Sequence, residues 1–191
     1  MTLLINACVR KASRTKLLAD RFLAARALPY DEVCLANIPF PVFTEDYLIR
    51  RDHLIAAKAF DHPIFAYARQ FAQADEIVIA APFWDLSFPA SLKQYLEQIN
   101  VPGITFRYTP EGVPKGLCKA RRLTYISTAG GDDYPEEFGF GYVRALAQRF
   151  YGIPDVRLIK ATGLDIEGAD VEEILLSVAG DRFRSSEDPN L

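Results

Sequence analysis

The sequence contains few of the residues that build metal centres or disulfide frameworks. Its 191 residues include three cysteines and two histidines. Cys8, Cys34 and Cys118 are odd in number and widely spaced, which excludes a disulfide framework, a CxxC metal site and an iron–sulfur cluster. His53 and His62 do not have the i, i+4 spacing of a helical zinc pair. The sequence therefore predicts a protein that binds no metal ion.

Long apolar runs are also missing. No run approaches the ~18 residues that a membrane span needs, and residues 1–6 have neither the apolar stretch nor the cleavage site of a signal peptide. Half of the residues are hydrophobic and the formal net charge is only −3, which excludes a disordered chain. We therefore expect one cytoplasmic domain over residues 1–191, without a membrane partner.

Charge is unevenly distributed along the chain. Residues 163–191 carry eight acidic side chains against two basic ones, a pattern typical of a solvated surface. The positive excess of the remaining chain gathers in a short cluster formed by Arg10, Lys11, Arg14 and Lys16. This cluster is too short to follow a nucleic acid but suits a single phosphate group. We expect no nucleic-acid partner.

Short apolar runs alternate with longer amphipathic ones, which predicts βα units and an α/β fold. The expected architecture is a doubly wound sheet of five parallel strands with helices on both faces. Strands are predicted over residues 3–7, 32–36, 76–81, 122–128 and 156–161, and helices over 15–28, 48–74 with a break near 61–63, 89–100, 136–151 and 170–183. Residues 38–46 are predicted to be irregular, and the proline- and glycine-rich residues 101–120 to form an extended functional loop or hairpin.

Doubly wound sheets bind ligands at the carboxyl ends of their strands, so the loops after the first, third and fourth strands deserve a search for chemistry. The first loop ends in Ser13, Arg14 and Thr15, where hydroxyls, a cation and the start of a helix favour a phosphate. It has no glycine, which excludes a GxGxxG or Walker loop. Ser13 or Thr15 acting only as a helix N-cap remains the alternative.

The other two loops favour a flat ring. Phe83 and Trp84 directly follow a buried strand and offer a platform for a heteroaromatic ligand, unless they pack beneath the neighbouring loop. Gly130 and Gly131 follow the fourth strand and allow close approach of backbone N–H groups, although a plain turn would look the same. One ligand explains a phosphate site, a ring platform and a glycine turn together, and that ligand is FMN.

Three segments resemble a known family. Residues 81–96 (APFWDLSFPASLKQYL) resemble the signature AP-[aromatic or Met]-[aromatic]-N-F-x-x-P-x-x-L-K-x-[YW]. Residues 103–117 (GITFRYTPEGVPKGL) are similar to G-x-T-F-x-Y-T-x-x-G-x-x-G-L, and residues 126–131 to a strand that ends in S/T-x-G-G. The family is that of the FMN-dependent NAD(P)H:quinone oxidoreductases and NADH azoreductases of flavodoxin-like fold. The resemblance covers most of residues 1–162.

This resemblance implies hydride transfer from NADH or NADPH through flavin N5 to a quinone or azo acceptor, with ping-pong kinetics. It also implies a homodimer with its active site at the subunit interface. The implied site residues are Ser13, Arg14 and Thr15 at the FMN phosphate; Pro82, Phe83, Trp84, Asp85 and Leu86 at the ring; Thr128, Gly130 and Gly131 at its pyrimidine side with Tyr134 nearby; and Phe106 with Trp84 at the substrate pocket.

Asp85 departs from the family pattern, because the family commonly has asparagine there. A carboxylate at that position would repel an anionic reduced flavin or carry a raised pKa, so a tuning role for Asp85 is our hypothesis. No amino-acid nucleophile is implied, because the flavin carries the chemistry.

Two other functions stay open at this point. One is a flavodoxin-like electron carrier or FMN-binding regulator, although the long loop at 101–120 favours an enclosed pocket. The other is a low-molecular-weight phosphatase, because Cys8 and Arg14 have the C-x5-R spacing of that active-site loop. Val9, Arg10 and Lys11 suit such a loop poorly, and the aromatic loop would be left unexplained.

Overall fold

The computed structural model describes residues 1–27 and 29–184. These residues contain seven strands: β1 Thr2–Asn6, β2 Tyr30–Cys34, β3 Glu76–Ala80, β4 Phe106–Tyr108, β5 Pro114–Gly116, β6 Arg122–Thr128 and β7 Asp155–Ala161. Five of them form one parallel sheet in the order β2-β1-β3-β6-β7. The predicted doubly wound five-stranded sheet is therefore confirmed.

In the described part of the chain, six α-helices accompany the strands: α1 Arg14–Ala25, α2 Glu45–Ala56, α3 Ala66–Gln73, α4 Ala90–Ile99, α5 Gly139–Leu146 and α6 Val171–Arg184. One face of the sheet packs against α1 and α6, through residues such as Phe22 and Leu175. The other face packs against α3, α4 and α5, through residues such as Phe71, Leu96 and Val143. Helix α2 contributes no buried side chain.

Strand β3 shows why the sequence specifies this layered arrangement. Successive side chains of a strand point to opposite faces of a sheet. Ile77 and Ile79 accordingly enter the core beneath α3 and α4, whereas Val78 and Ala80 enter the core beneath α1. Both faces are covered, and for this reason the strand is a continuous apolar run rather than an alternating one.

Several predicted boundaries differ from the structure. Strand β2 begins at Tyr30 and ends at Cys34, because Leu35–Asn37 forms a 3-10 turn instead of continuing the strand. The helix predicted over 48–74 is divided into α2 and α3 by residues 57–65, which contain the expected break before Pro63. The helix predicted over 136–151 begins later, at Gly139, and its last turn, Ala147–Tyr151, is a π-helix.

Some predictions fall partly outside the described residues. The predicted end of the first helix at Leu28 lies there, and so do Glu187 and Asp188 of the acidic segment 163–191. No helix in the described ranges has the length and apolar character needed to cross a bilayer.

Residues 101–120 form a hairpin in which β4 and β5 pair antiparallel, with Phe106 opposite Gly116. This hairpin lies directly on the π-helical turn at the end of α5. A Cβ atom on Gly116 would lie 2.2 Å from the backbone nitrogen of Gly152, so only glycine fits at this contact. The hairpin is therefore held by close backbone packing.

Candidate functional site

A cavity of about 380 Å³ opens at the carboxyl edge of the sheet, where the strand order reverses between β1 and β3. This is the place where doubly wound sheets bind their ligands. Its lining comes from Val9, Arg10 and residues 12–15, from residues 82–84, from residues 128–130, and from Leu164 and Asp165. The structure therefore brings the three predicted loops together around one space.

The start of α1 forms the polar end of this cavity. Ser13 is the N-cap of the helix, and its hydroxyl accepts a hydrogen bond from the backbone N–H of Lys16 at 3.3 Å. Capping uses a lone pair of the Ser13 oxygen, so the hydroxyl still carries a proton that it can donate. The helix N-terminus and the cations of Arg10 and Arg14 give this end a positive potential, which suits a phosphate.

Thr128 connects all three loops. Its hydroxyl lies 2.6 Å from the hydroxyl of Thr15, and both side chains are buried. Its carbonyl oxygen accepts a hydrogen bond from the backbone N–H of Phe83 at 3.0 Å. The bond between the two threonines ties the phosphate loop to the end of β6, so one hydrogen-bonding position of Thr15 is already occupied.

The first loop is fixed from below by Asn6 and Cys8. The Asn6 side chain accepts a hydrogen bond from the backbone N–H of Cys8 at 2.9 Å and donates one to Glu32 at 2.8 Å. The Cys8 thiol is buried and points at the carbonyl oxygen of Ala80, at 3.7 Å. Burial raises the pKa of Cys8 to about 11. The residue is therefore a neutral thiol at physiological pH, whereas a phosphatase needs a thiolate.

The second loop contributes the aromatic side of the cavity. Pro82 is buried, and Phe83 is half-buried with its ring 4.3 Å from that of Tyr134. Trp84 also lines the cavity and remains 38% exposed, so its indole surface is available to a ligand. Phe83 and Trp84 thus lie at the cavity rather than beneath the hairpin.

Asp85 and Leu86 form a tight turn in an unusual conformation. Trp84 and Ser87 exchange two backbone hydrogen bonds, of 3.0 and 2.7 Å, across them. Their φ angles are 48° and 62°, the pair of positive values that defines a type I′ turn. Such turns favour asparagine and glycine, and each other residue adds roughly 1–2 kcal/mol of strain. The chain therefore keeps a strained turn beside the cavity.

This turn faces a second, larger space. Asp85 and Leu86 do not line the cavity but a neighbouring groove of about 780 Å³, together with Phe138 and Tyr142. Leu86 and Phe138 are each 51% exposed, so the groove presents an apolar surface to solvent. The structure thus separates these two predicted ring contacts from the residues at 82–84.

Gly131, Tyr134 and Phe106 lie away from the cavity. Gly131 is exposed and does not line it. Tyr134 is buried behind Phe83, and burial raises the pKa of its hydroxyl. Phe106 is only 4% exposed and packs against Phe150, so the structure does not bring it to the cavity.

A fourth segment, which the sequence reasoning missed, completes the cavity wall. Leu164 and Asp165 follow β7, and their backbone N–H groups donate to the carbonyl oxygens of Ala129 and Gly130 at 3.2 and 2.9 Å. The carboxylate of Asp165 accepts a hydrogen bond from Arg14 at 2.6 Å. The signal was present, because these residues directly follow the predicted strand 156–161 and so end at the same sheet edge.

The cavity fits a ligand with an anionic group at one end and a flat ring at the other. Ser13, Arg14 and the start of α1 supply donors and positive charge for the anion. Phe83 and Trp84 supply aromatic surface some distance along the same wall. FMN has this distribution of a phosphate and a planar ring, so the donor set and the shape both suit it.

The sheet order and the site define a doubly wound nucleotide-binding protein of the flavodoxin type. The chain belongs to the family described as having the flavodoxin-like fold, which matches residues 1–181. It is 40% identical over 184 residues to the FMN-dependent NADH:quinone oxidoreductase 2 of Clostridium acetobutylicum, covering 89% of this chain and 88% of that one. It is 38% identical over 178 residues to the FMN-dependent NADH:quinone oxidoreductase of Lachnoclostridium phytofermentans, covering 87% of each chain.

A solved structure is also similar. The azoreductase from Bacillus anthracis strain Sterne superposes with a TM-score of 0.80 and 27% identity, covering 96% of this chain and 97% of that one. The family resemblance predicted from residues 81–96, 103–117 and 126–131 is therefore confirmed.

Proposed function

We propose that the protein is an FMN-dependent NAD(P)H oxidoreductase that passes hydride from NADH or NADPH to a quinone or azo acceptor. The observation that carries this proposal is the cavity itself, which combines a positive helix start with an aromatic wall at the β1/β3 edge. The quinone oxidoreductase and azoreductase relatives support the same reaction class.

The chain's own residues divide the binding between them. Ser13, Arg14 and the N-terminus of α1 would hold the phosphate through hydroxyl, guanidinium and backbone donors. Phe83 and Trp84 would cover the ring with apolar surface and exclude water from it. Bound FMN would supply the redox chemistry, accepting hydride from the nicotinamide and passing electrons to the acceptor. Thr15 would act mainly through its hydrogen bond to Thr128, which holds the loop before α1 and the loop after β3 in fixed relative positions.

A homodimer is part of the proposal. The apolar groove lined by Leu86, Phe138 and Tyr142 lies beside the cavity and is exposed in the single chain. Contiguous apolar surface exposed in a single chain is a common mark of a protein–protein interface. A second copy seated on this groove would close the cavity beside Trp84, where the acceptor would bind. Sedimentation of the purified protein at several concentrations tests this assembly.

We place the enzyme in the cytoplasm. All three cysteines are free, and they suit a reducing compartment because they are not paired in disulfides.

A steady-state assay separates an enzyme from an electron carrier. The protein, saturated with FMN, is mixed with NADH and a soluble benzoquinone, and loss of NADH absorbance is followed. An enzyme oxidises NADH without a partner protein and gives parallel double-reciprocal lines, as ping-pong kinetics requires. A carrier oxidises NADH only after a separate reductase is added, and that result would contradict the proposal.

A further inference from the structure

An acidic side chain lies in the part of the cavity where the phosphate is proposed to bind. The Asp165 carboxylate is 2.6 Å from the Arg14 guanidinium, and both residues line the cavity. A carboxylate repels a phosphate dianion, so its presence beside a phosphate site requires a structural reason. Two further contacts supply that reason.

The first contact fixes the backbone of Asp165. Its N–H donates to the carbonyl oxygen of Gly130 at 2.9 Å, and the preceding N–H of Leu164 donates to Ala129 at 3.2 Å. Leu164 is itself buried in the core beneath α1 and α6. The chain after β7 is thus joined to the loop after β6, and the position of the Asp165 backbone does not depend on the ion pair.

The second contact concerns the side chain of Asp165. A Cβ atom built on Gly130 would lie 2.3 Å from Asp165 Oδ2, a distance at which one of the two must move. Gly130 is not among the glycines with a positive φ, so its backbone does not itself require glycine. The absence of a side chain at position 130 therefore provides the space that the Asp165 carboxylate occupies.

We propose that Asp165 is a positioning residue for the cofactor phosphate, which holds the Arg14 guanidinium at the cavity and for which Gly130 leaves room. This inference rests on the proposed FMN site. A guanidinium has five N–H donors, and the one hydrogen bond to Asp165 leaves the others for phosphate oxygens. An arginine that is already oriented loses less side-chain entropy when the ligand binds.

Two opposing effects decide how much Asp165→Asn changes the affinity for FMN. Losing the orientation of Arg14 weakens FMN binding by about tenfold, which corresponds to the entropy cost of immobilising one long side chain. Removing the exposed negative charge strengthens it by about threefold at physiological salt. We therefore expect a net weakening of about threefold, with orientation the larger effect.

The test compares FMN with riboflavin, which has the same ring but no phosphate. Trp84 is the single tryptophan of the chain and lines the cavity, so quenching of its fluorescence reports binding of either flavin. Asp165→Asn should weaken the binding of FMN and leave the binding of riboflavin unchanged. A general loss of structure would weaken the binding of both. Glu172→Gln is the matched control, because it breaks another ion pair of α1, with Arg21, away from the cavity. It should change neither affinity.

Two additional variants test the coupling. In an Arg14→Gln background, Asp165→Asn should cause no further weakening, since no guanidinium remains to be oriented. Gly130→Ala alone should weaken FMN binding, because the new Cβ displaces the Asp165 carboxylate. In an Asp165→Ala background the same change should weaken FMN binding much less.

Three results would overturn the inference. If Asp165→Asn strengthens FMN binding in both backgrounds, the carboxylate only repels the phosphate. If it weakens riboflavin and FMN equally, its role is not directed at the phosphate. If the wild type binds neither flavin, the proposed function fails and this inference fails with it, whereas the first two results leave the proposed function intact.

Discussion

The hydrogen bond between Thr15 and Thr128 gives the sharpest prediction about stability. The two hydroxyl oxygens are 2.6 Å apart, Thr15 has no solvent exposure and Thr128 has 8%. Replacing one threonine by valine keeps the shape but leaves the other hydroxyl without its partner. Each single change, Thr15→Val or Thr128→Val, should therefore lower the free energy of unfolding by about 1–3 kcal/mol.

The double variant should be less destabilised than the sum of the two single variants. With both hydroxyls gone, no buried group is left unpaired, and exchanging both partners for apolar groups of the same shape is often nearly neutral. We expect a coupling energy of about 1 kcal/mol or more, within the range measured for residues in direct contact. Urea unfolding of the protein without flavin, followed by Trp84 fluorescence, measures the free energy of unfolding of the wild type, the two single variants and the double variant.

Thr124 provides a control on the same strand. Its hydroxyl is buried but makes no hydrogen bond within the described part of the chain. Thr124→Val should therefore be neutral or slightly stabilising, whereas Thr128→Val is destabilising. Strictly additive effects of Thr15→Val and Thr128→Val would show that the two hydroxyls do not interact.

Three further predictions concern other parts of the molecule. Leu86→Gly relieves the positive φ of the type I′ turn and should raise the thermal unfolding temperature by about 2 °C, from roughly 0.5–1 kcal/mol of net strain relief; an unchanged or lower temperature at dilutions where the protein is monomeric would argue against strain. Burial raises the pKa of Cys8 from 9.0 to about 11, so the unfolded chain releases this proton first and stability should fall as the pH rises through that range. Relative to Cys8→Ala, the free energy of unfolding of the wild type, measured with urea, should fall by about 2 kcal/mol between about pH 8 and pH 11. If the free energies of the two proteins change with pH in parallel, the pKa of Cys8 is not raised. Gly116→Ala places a Cβ against the backbone of Gly152 and should cost about 3 kcal/mol or prevent the hairpin from docking, whereas an unchanged unfolding curve would show that the contact yields easily.

The sheet could be predicted from the sequence because each strand is specified locally. The run at Ile77–Ile79 is apolar on both faces and stops at Pro82, so strand β3 needs no tertiary information. The three loops at its carboxyl edge follow from the general rule for doubly wound sheets. For the same reason the cluster of Arg14, Phe83 and Thr128 around one cavity could be anticipated.

What the sequence did not reveal depends on contacts between distant segments. Asp165 follows a predicted strand and could have been placed at this sheet edge, but its contact with Arg14 depends on the pairing of its backbone with Gly130, which no local pattern predicts. Asp85 and Leu86 have no glycine or asparagine to signal a type I′ turn, so their turn toward the groove was not foreseen. Phe106 is buried between its hairpin and the π-helical turn, where its ring packs against Phe150. This contact depends on how β4 and β5 lie on that turn.

Hydride transfer through bound FMN is tested most directly by following reduction by NADH and reoxidation by a quinone separately, in the absence of oxygen. The protein is saturated with FMN, freed of excess cofactor, and its visible spectrum is recorded before and after addition of NADH, then after addition of a quinone. We expect NADH to remove the absorbance of the bound flavin and the quinone to restore it fully, with no partner protein present. A protein that retains no FMN, or whose bound flavin keeps its absorbance in excess NADH and in excess NADPH, would contradict this expectation.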